Sequence, residues 1–225
     1  MKRGAAFGDA PGRAVLGIGL LAAQAAFALT FRGPRPRFWR RMTFTGLGLG
    51  SYALALSRPA RRVHIGKAEV AIGLASAAVL FGTFQVGDRF ARRYVPGGER
   101  QIRDIYALRE LRPRGEIAAR LLGVVAPAEE LFWRGLVQAA LMRRLGRWRG
   151  AAAGAASYAG VHAVTGNFTL LGAAGVAGVH WAGLYALGVP LGALIVSHTA
   201  WDVWVFLLQP PPAQVAPPLT DRRAS

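Results

Sequence analysis

Apolar residues occur along the chain in long runs that are separated by short polar segments. The runs cover residues 14–31, 43–57, 69–87, 116–142, 151–164, 168–188 and 190–208. Several runs approach the roughly 20 residues that a helix needs to cross the hydrocarbon core of a membrane, whereas the second and fifth are shorter. The pattern predicts an all-α, polytopic integral membrane protein, a helical bundle with about seven spans and a range of six to eight.

The same pattern divides the chain into three regions. Residues 1–115 hold the first spans and an interfacial segment, residues 116–208 hold the later spans, and residues 209–225 form a Pro-rich tail that we expect to be disordered. An A-x-A-like sequence at residues 26–28 would also fit a signal peptide. The long polar leader, which contains Asp9, and the repeated apolar runs that follow favour a retained first span.

The longest polar connection, residues 88–115, has the spacing of an amphipathic helix. Its basic residues and Tyr106 suit the headgroup region of a membrane, and a solvated linker is the alternative. The apolar positions that recur at helical spacing among Arg103, Arg109 and Arg112 are Ile102, Ile105, Tyr106, Leu108 and Leu111.

The positive charge of the chain changes the picture of its partners. The formal net charge is +17, and nearly all of the 28 Lys and Arg residues lie at the ends of apolar runs or between them. This placement is typical of anchoring to anionic lipid, whereas a nucleic-acid site needs basic residues among exposed aromatics on one surface. We therefore expect membrane lipid as a partner and no nucleic acid. The chain has no cysteine, which excludes disulfides, thiolate zinc sites and a cysteine nucleophile.

A few polar side chains interrupt the later apolar runs. A charge in hydrocarbon costs several kcal/mol, so it persists where it is paired, hydrated or used. We expect these side chains to turn inward and to meet in one pocket between helices. They are Glu129, Glu130, Arg134, His162, His180, His198 and Asp202.

Spacing predicts how the two adjacent carboxylates differ. Glu130 and Arg134 are four residues apart, so they share one helix face and can form an ion pair. Glu129 points about 100° away from Glu130 and is free to face a cavity. Pro127 can start or kink a helix just before them, and a helix N-terminus would stabilise carboxylates.

The histidines supply the rest of a hydrolytic site. His198 and Asp202 are again four apart, as are Tyr158 and His162. A glutamate can take a proton from a water molecule that an imidazole orients, and further donors can stabilise an oxyanion. This combination is suited to hydrolysing a peptide bond inside a membrane. Ser197 adjoins His198, and neighbours on a helix do not face each other, so a serine nucleophile is disfavoured.

Three motifs resemble those of one family. Residues 129–134 resemble the EExxxR motif of the CAAX-processing and bacteriocin-processing (CPBP or Abi) intramembrane proteases. Residues 158–162 are similar to the family's FxxxH motif, with Tyr in place of Phe, and residues 198–202 resemble its HxxxN/D motif. The order and spacing fit as well, so the resemblance covers residues 116–208 and implies a catalytic core there.

The resemblance implies an endopeptidase in a bacterial cell membrane that cleaves a membrane-associated peptide or protein. Because an ionised Asp cannot donate a hydrogen bond, Asp202 would orient His198 rather than bind the oxyanion directly. The implied roles are a general base (Glu129), a residue that helps to hold the water (His162), residues that orient and balance the base (Glu130, Arg134) and residues near the oxyanion (His198, Asp202).

Several alternatives stay open. Glu129, His162 and His198 could bind a catalytic zinc, but without cysteines or a His-Glu-x-x-His motif the sequence favours a site with no cofactor. A non-catalytic scaffold or immunity-like protein would keep the same fold and pocket. An ion-coupled transporter also uses intramembrane acids, but the paired halves typical of transporters are not visible. His180 matches no motif and is interpreted as a packing residue.

Overall fold

The computed structural model describes residues 12–209, and it is all-helical, with no β-strand among them. This confirms the predicted all-α class. The predicted disordered tail lies outside the described residues from position 210 onward, as do the first eleven residues of the N-terminal region.

Each predicted apolar run overlaps one long helical segment. Short 3-10 turns lie at Arg35–Arg37, Ala107–Leu111 and His162–Thr165, and π-helical turns lie at Leu121–Val125, Leu131–Gln138 and Val203–Leu208. The α-helices are α1 (Arg13–Phe31), α2 (Phe38–Leu56), α3 (Arg58–Arg61), α4 (Lys67–Tyr94), α5 (Gly98–Tyr106), α6 (Arg114–Arg120), α7 (Ala126–Glu130), α8 (Ala139–Leu145), α9 (Arg147–Val161), α10 (Phe168–Leu187) and α11 (Leu191–Asp202).

Within the described residues, four segments are long and apolar enough to cross a membrane. They are Arg13–Phe31, Lys67–Tyr94, Phe168–Leu187 and Leu191–Leu208. The integral membrane character is therefore supported, but the count of about seven spans is not confirmed. One of the remaining segments, α9, has only 15 residues, which is short for a span.

The segment that carries the two carboxylates, residues 114–145, is one continuous helical rod, here called the motif helix. It consists of α6, α7 and α8 joined by two π-helical turns. The sequence allowed Pro127 to start a helix or to kink one. It does not start one, because the rod continues through it. A proline cannot donate a backbone hydrogen bond, and the wider turn just before it, in which the Ala126 N–H bonds to the Leu121 carbonyl, absorbs the disruption.

The motif helix lies at the centre of the bundle. Its α7 portion contacts α2 on one side and α11 on the other, α11 packs against α4, and α10 packs against α9. A small residue permits the α2 contact, because a Cβ at Gly50 would lie only 3.0 Å from the Ala128 Cβ. This arrangement surrounds Glu129 and Glu130 with other helices.

The polar connection after α4 folds back onto the end of the last helix. α5 is helical, as the spacing predicts, and Ile102 is buried. Arg109, one of the basic residues expected to suit the headgroup region, is instead buried, because only 8% of it is exposed. Its Nη1 donates to the carbonyl oxygens of Phe206 at 3.3 Å and Gln209 at 3.0 Å, and its guanidinium lies 5.0 Å from the Tyr106 ring centre. The guanidinium thus caps carbonyls that the end of a helix leaves without partners.

We expect Arg109→Ala to lower the free energy of unfolding in detergent by about 1.5–3 kcal/mol, the usual cost of losing a charged hydrogen bond. Arg103→Ala is the matched control, because Arg103 forms a partly exposed pair with Glu99 at 3.0 Å and such pairs contribute little. Thermal unfolding of both variants measures the difference. Equal losses would contradict the capping role.

Candidate active site

Glu130 is the centre of a buried ion network. Its Oε1 accepts a hydrogen bond from Arg134 Nη1 at 3.0 Å and a second from His198 Nδ1 at 2.8 Å. Glu130 and Arg134 are 0% and 1% exposed, and His198 is also buried. The predicted Glu130–Arg134 pair is confirmed. The contact with His198 is an addition, since the sequence had assigned Glu130 to balancing Glu129.

Two aromatic rings enclose Arg134. Its guanidinium carbon lies 4.6 Å from the ring centre of Tyr158 and 5.3 Å from that of Trp181. Both rings are buried, so the guanidinium sits in a cation–π enclosure. Trp181 also stacks on the His198 imidazole, with ring centres 4.0 Å apart and planes inclined by 24°. Sequence reasoning missed Trp181, because no motif includes it.

Glu129 has a hydrogen-bond partner on another helix. Its carboxylate is buried and accepts a side-chain hydrogen bond from Tyr158 on α9. The FxxxH motif has a phenylalanine at the position of Tyr158, and the sequence assigned no role to the additional hydroxyl. The structure shows that this hydroxyl is the hydrogen-bond donor to the Glu129 carboxylate. Adjacent positions on the motif helix accordingly place the two carboxylates in different environments.

His162 begins the 3-10 turn that follows α9, rather than lying inside a helix. Its Nδ1 donates to the backbone carbonyl of Tyr158 at 2.9 Å, which leaves Nε2 without a proton in the neutral ring. The Phe27 ring of α1 packs edge-on against the imidazole, with ring centres 5.1 Å apart. Tyr158 therefore contacts His162 through its backbone, Glu129 through its hydroxyl and Arg134 through its ring.

Asp202 lies one turn beyond His198 on the last helix. Its Oδ1 is 3.7 Å from His198 Nε2, which is within ion-pair range but longer than a hydrogen bond, and its side chain is 15% exposed. The two nitrogens of His198 therefore face Glu130 and Asp202 respectively. That Asp202 orients His198 stays a prediction.

Of the polar residues that interrupt the apolar runs, His180 has no hydrogen bond to the Glu130–Arg134–His198 network or to Glu129. It lies on α10 with its Nε2 2.9 Å from the Ser76 hydroxyl of α4. The structure thus brings Glu130, Arg134, His198 and Asp202 together directly. Tyr158 connects Glu129 and His162 to them.

The side chains do not form a ready metal site. Among residues 12–209, no three His, Asp or Glu side chains are arranged so that they could hold a metal ion. Glu129, His162 and His198, which the sequence allowed as zinc ligands, are directed at different partners, and the Nδ1 atoms of both histidines are engaged in hydrogen bonds.

An apolar cavity of about 720 Å³ lies beside the motif helix and α11. Pro127 and Leu131 of the motif helix and Thr199 of α11 line it, together with side chains from α2, α3 and α4. These positions flank the motif carboxylates and His198 in the sequence. The cavity is open on one side and lined mostly by carbon, which suits an apolar ligand or side chain.

We expect Arg134→Met to lower the free energy of unfolding by about 3–5 kcal/mol, because it leaves the Glu130 carboxylate buried without its cation. Adding Glu130→Gln to this variant should restore part of the loss, since no uncompensated charge remains. Arg103→Met is a control at the same spacing in a partly exposed pair. Denaturation in detergent measures all three, and a double variant less stable than Arg134→Met would contradict the ion-pair account.

Comparison with known proteins agrees with the motifs. Residues 117–204 match the family model described as type II CAAX prenyl endopeptidase, Rce1-like. Comparisons with curated proteins and with solved structures gave no significant match. The matched segment contains all three motifs and all six predicted site residues. The match confirms, for residues 117–204, the resemblance to the CAAX-protease (CPBP) family that the motifs indicate.

Proposed function

We propose that the protein is an intramembrane endopeptidase that hydrolyses a peptide bond in a membrane-associated substrate, in a bacterial cell membrane. The observation that carries the proposal is the buried Glu129 carboxylate, held by Tyr158 beside the Glu130–Arg134–His198 network. The family is a protease family, which supports peptide hydrolysis as the reaction class.

Glu129 acts as the general base. It takes a proton from a water molecule whose oxygen attacks the peptide carbonyl carbon, and it then gives that proton to the leaving amine nitrogen as the C–N bond breaks. The tetrahedral intermediate carries the charge on the former carbonyl oxygen. Tyr158 orients the carboxylate through its hydrogen bond, as the hydroxyl of a positioned side chain can.

His162 helps to hold the attacking water. Because its Nδ1–H is donated to the Tyr158 carbonyl, its Nε2 is the atom that can accept a hydrogen bond from that water. The ring is fixed in this orientation by the backbone contact and by the edge of Phe27. The base and the water-holding imidazole are thus both positioned by α9.

His198 acts near the oxyanion. Its Nδ1–H is committed to Glu130, so Nε2 is the nitrogen that can face substrate, with Asp202 beside it. Glu130, which is held by Arg134, orients His198 through its hydrogen bond to the imidazole. That Glu130 and Arg134 also orient and balance Glu129 stays a prediction. An oxyanion is stabilised by such a donor only when Nε2 carries a proton.

The substrate is a peptide or protein associated with the membrane. Many large apolar side chains are exposed on the outer surface of the bundle, and the apolar cavity beside the motif helix accepts a hydrophobic portion of the substrate peptide. Membrane lipid surrounds the bundle. The basic residues at the helix ends contact the headgroups.

We expect Glu129→Gln to lower the rate of peptide cleavage by about 100- to 10,000-fold, the usual contribution of a general base. Glu116→Gln is the matched control on the same motif helix, because Glu116 forms a partly exposed pair with Arg120 at 2.8 Å. The purified protein is assayed in detergent or vesicles with a library of membrane peptides. Circular dichroism checks that both variants are folded.

The rival functions give different results in the same experiment. If the wild type and Glu129→Gln are equally inert on the library, the non-catalytic scaffold or immunity-like reading replaces the protease. If instead Glu129→Gln abolishes ion flux across vesicles, the protein is a transporter.

We further expect that chelators such as EDTA and 1,10-phenanthroline leave the cleavage rate unchanged, because the proposed water activation uses Glu129 and His162 alone. Adding Zn²⁺ after chelation is the control for recovery. Loss of activity with the chelator and its return with Zn²⁺ would show a zinc enzyme, in which Glu129, His162 and His198 would have to move together.

A further inference from the structure

A chain of buried hydrogen bonds joins α4, α10 and α11 next to the ion network. The indole Nε1 of Trp181 donates to Ser197 Oγ at 3.0 Å, and Ser197 Oγ lies 2.8 Å from Ser76 Oγ. Ser76 Oγ in turn lies 2.9 Å from His180 Nε2. Ser197 and Trp181 have no exposed surface. The proposed reaction uses none of these groups, so this series of hydrogen bonds has no role in the chemistry described so far.

The indole at one end of this chain touches both groups that hold Glu130. One contact is the stacking on the His198 ring, and the other is the cation–π contact with Arg134. A change in the tilt of the Trp181 ring would therefore tilt the His198 ring with it. Because His198 Nδ1 is anchored on Glu130, such a tilt would redirect Nε2, the atom that the proposed function places toward the substrate.

The Ser197 hydroxyl is what fixes the indole. An indole N–H can only donate, and a buried donor without a partner is costly, so the hydrogen bond selects one tilt of the ring. In the described part of the chain, the buried Nε1 atoms of Trp133 and of the partly buried Trp201 have no hydrogen-bond partner. The bond of Trp181 to Ser197 is therefore not a general feature of tryptophans in this bundle.

Ser76 supports Ser197 from a helix outside the segment that matches the family. Gly73, one turn before Ser76, lets α4 approach α11 closely. A Cβ at this position would lie only 2.6 Å from the Ala193 carbonyl oxygen. The approach brings the two hydroxyls within hydrogen-bonding distance. One hydroxyl donates to the other, which fixes the rotamer of Ser197 and with it the acceptor for the indole.

We infer that Ser197, supported by Ser76, is a positioning residue that sets the orientation of His198 through Trp181. The inference rests on the proposed function, since it assigns His198 a place near the reacting carbonyl. It also gives α4 a part in the site.

The first test compares peptide cleavage by Ser197→Ala and by wild-type protein. Loss of one buried hydrogen bond should lower kcat about three- to tenfold with little change in KM, because substrate binding is not altered. Ser76→Ala should have a smaller effect. Ser157→Ala is the matched control, because the Ser157 hydroxyl donates to a carbonyl of its own helix, that of Ala153, at 2.8 Å.

A double-variant cycle separates positioning from general destabilisation. Trp181→Phe keeps an aromatic ring on His198 but removes the N–H. If Ser197 acts through that N–H, adding Ser197→Ala to Trp181→Phe should cause no further loss of kcat. Additive losses, or an equal loss in Ser157→Ala, would overturn the inference.

An NMR readout decides the inference even if no peptide is cleaved. In detergent, the Trp181 indole signal is identified by its disappearance in Trp181→Phe. Ser197→Ala should shift this signal and the His198 ring signals, whereas Ser157→Ala should shift neither. Unchanged His198 signals in Ser197→Ala would overturn the positioning role. A wild type that cleaves nothing but shows the expected shifts would instead refute only the proposed function.

Discussion

A carboxylate inside a helical bundle is stable when its charge is compensated, and Glu130 meets this requirement with partners from two helices. Arg134 comes from the same helix and His198 from α11, and both reach the same oxygen atom. Breaking such a pair leaves an uncompensated buried charge. The contact between Glu130 and His198 therefore fixes the position of the motif helix relative to α11. The remaining site residues take their positions from these two helices and from α9, which packs against the motif helix.

Aromatic rings form the next layer around the charges. Tyr158 and Trp181 enclose the Arg134 guanidinium, and each also contacts another side chain of the candidate site: Tyr158 the Glu129 carboxylate, and Trp181 the His198 ring. Aromatic rings are rigid and have few rotamers, so a ring that contacts side chains on two helices fixes the placement of those side chains relative to each other. The layer explains how side chains from separate helices hold one geometry.

The helices before the matched segment complete the walls of the site. α1 places Phe27 on His162, α2 packs through Gly50 on the motif helix, and α4 supplies Ser76 behind Ser197. The family motifs alone do not include these contacts. Residues 117–204 therefore contain the proposed catalytic residues, and α1, α2 and α4 contact this segment from earlier in the chain.

The sequence by itself determined the helices and the pairs within them. Apolar runs predicted the helical segments, and the spacing of four residues predicted the Glu130–Arg134 pair, because neighbours within one helix follow from its period. Only the tertiary structure decided which helices meet. The contact of Glu130 with His198, that of Glu129 with Tyr158, and the burial of Arg109 join residues far apart in the chain, and periodicity carries no information about helix order, rotation or close approach. The passage of the motif helix through Pro127 likewise depends on a π-helical turn that no residue pattern announces.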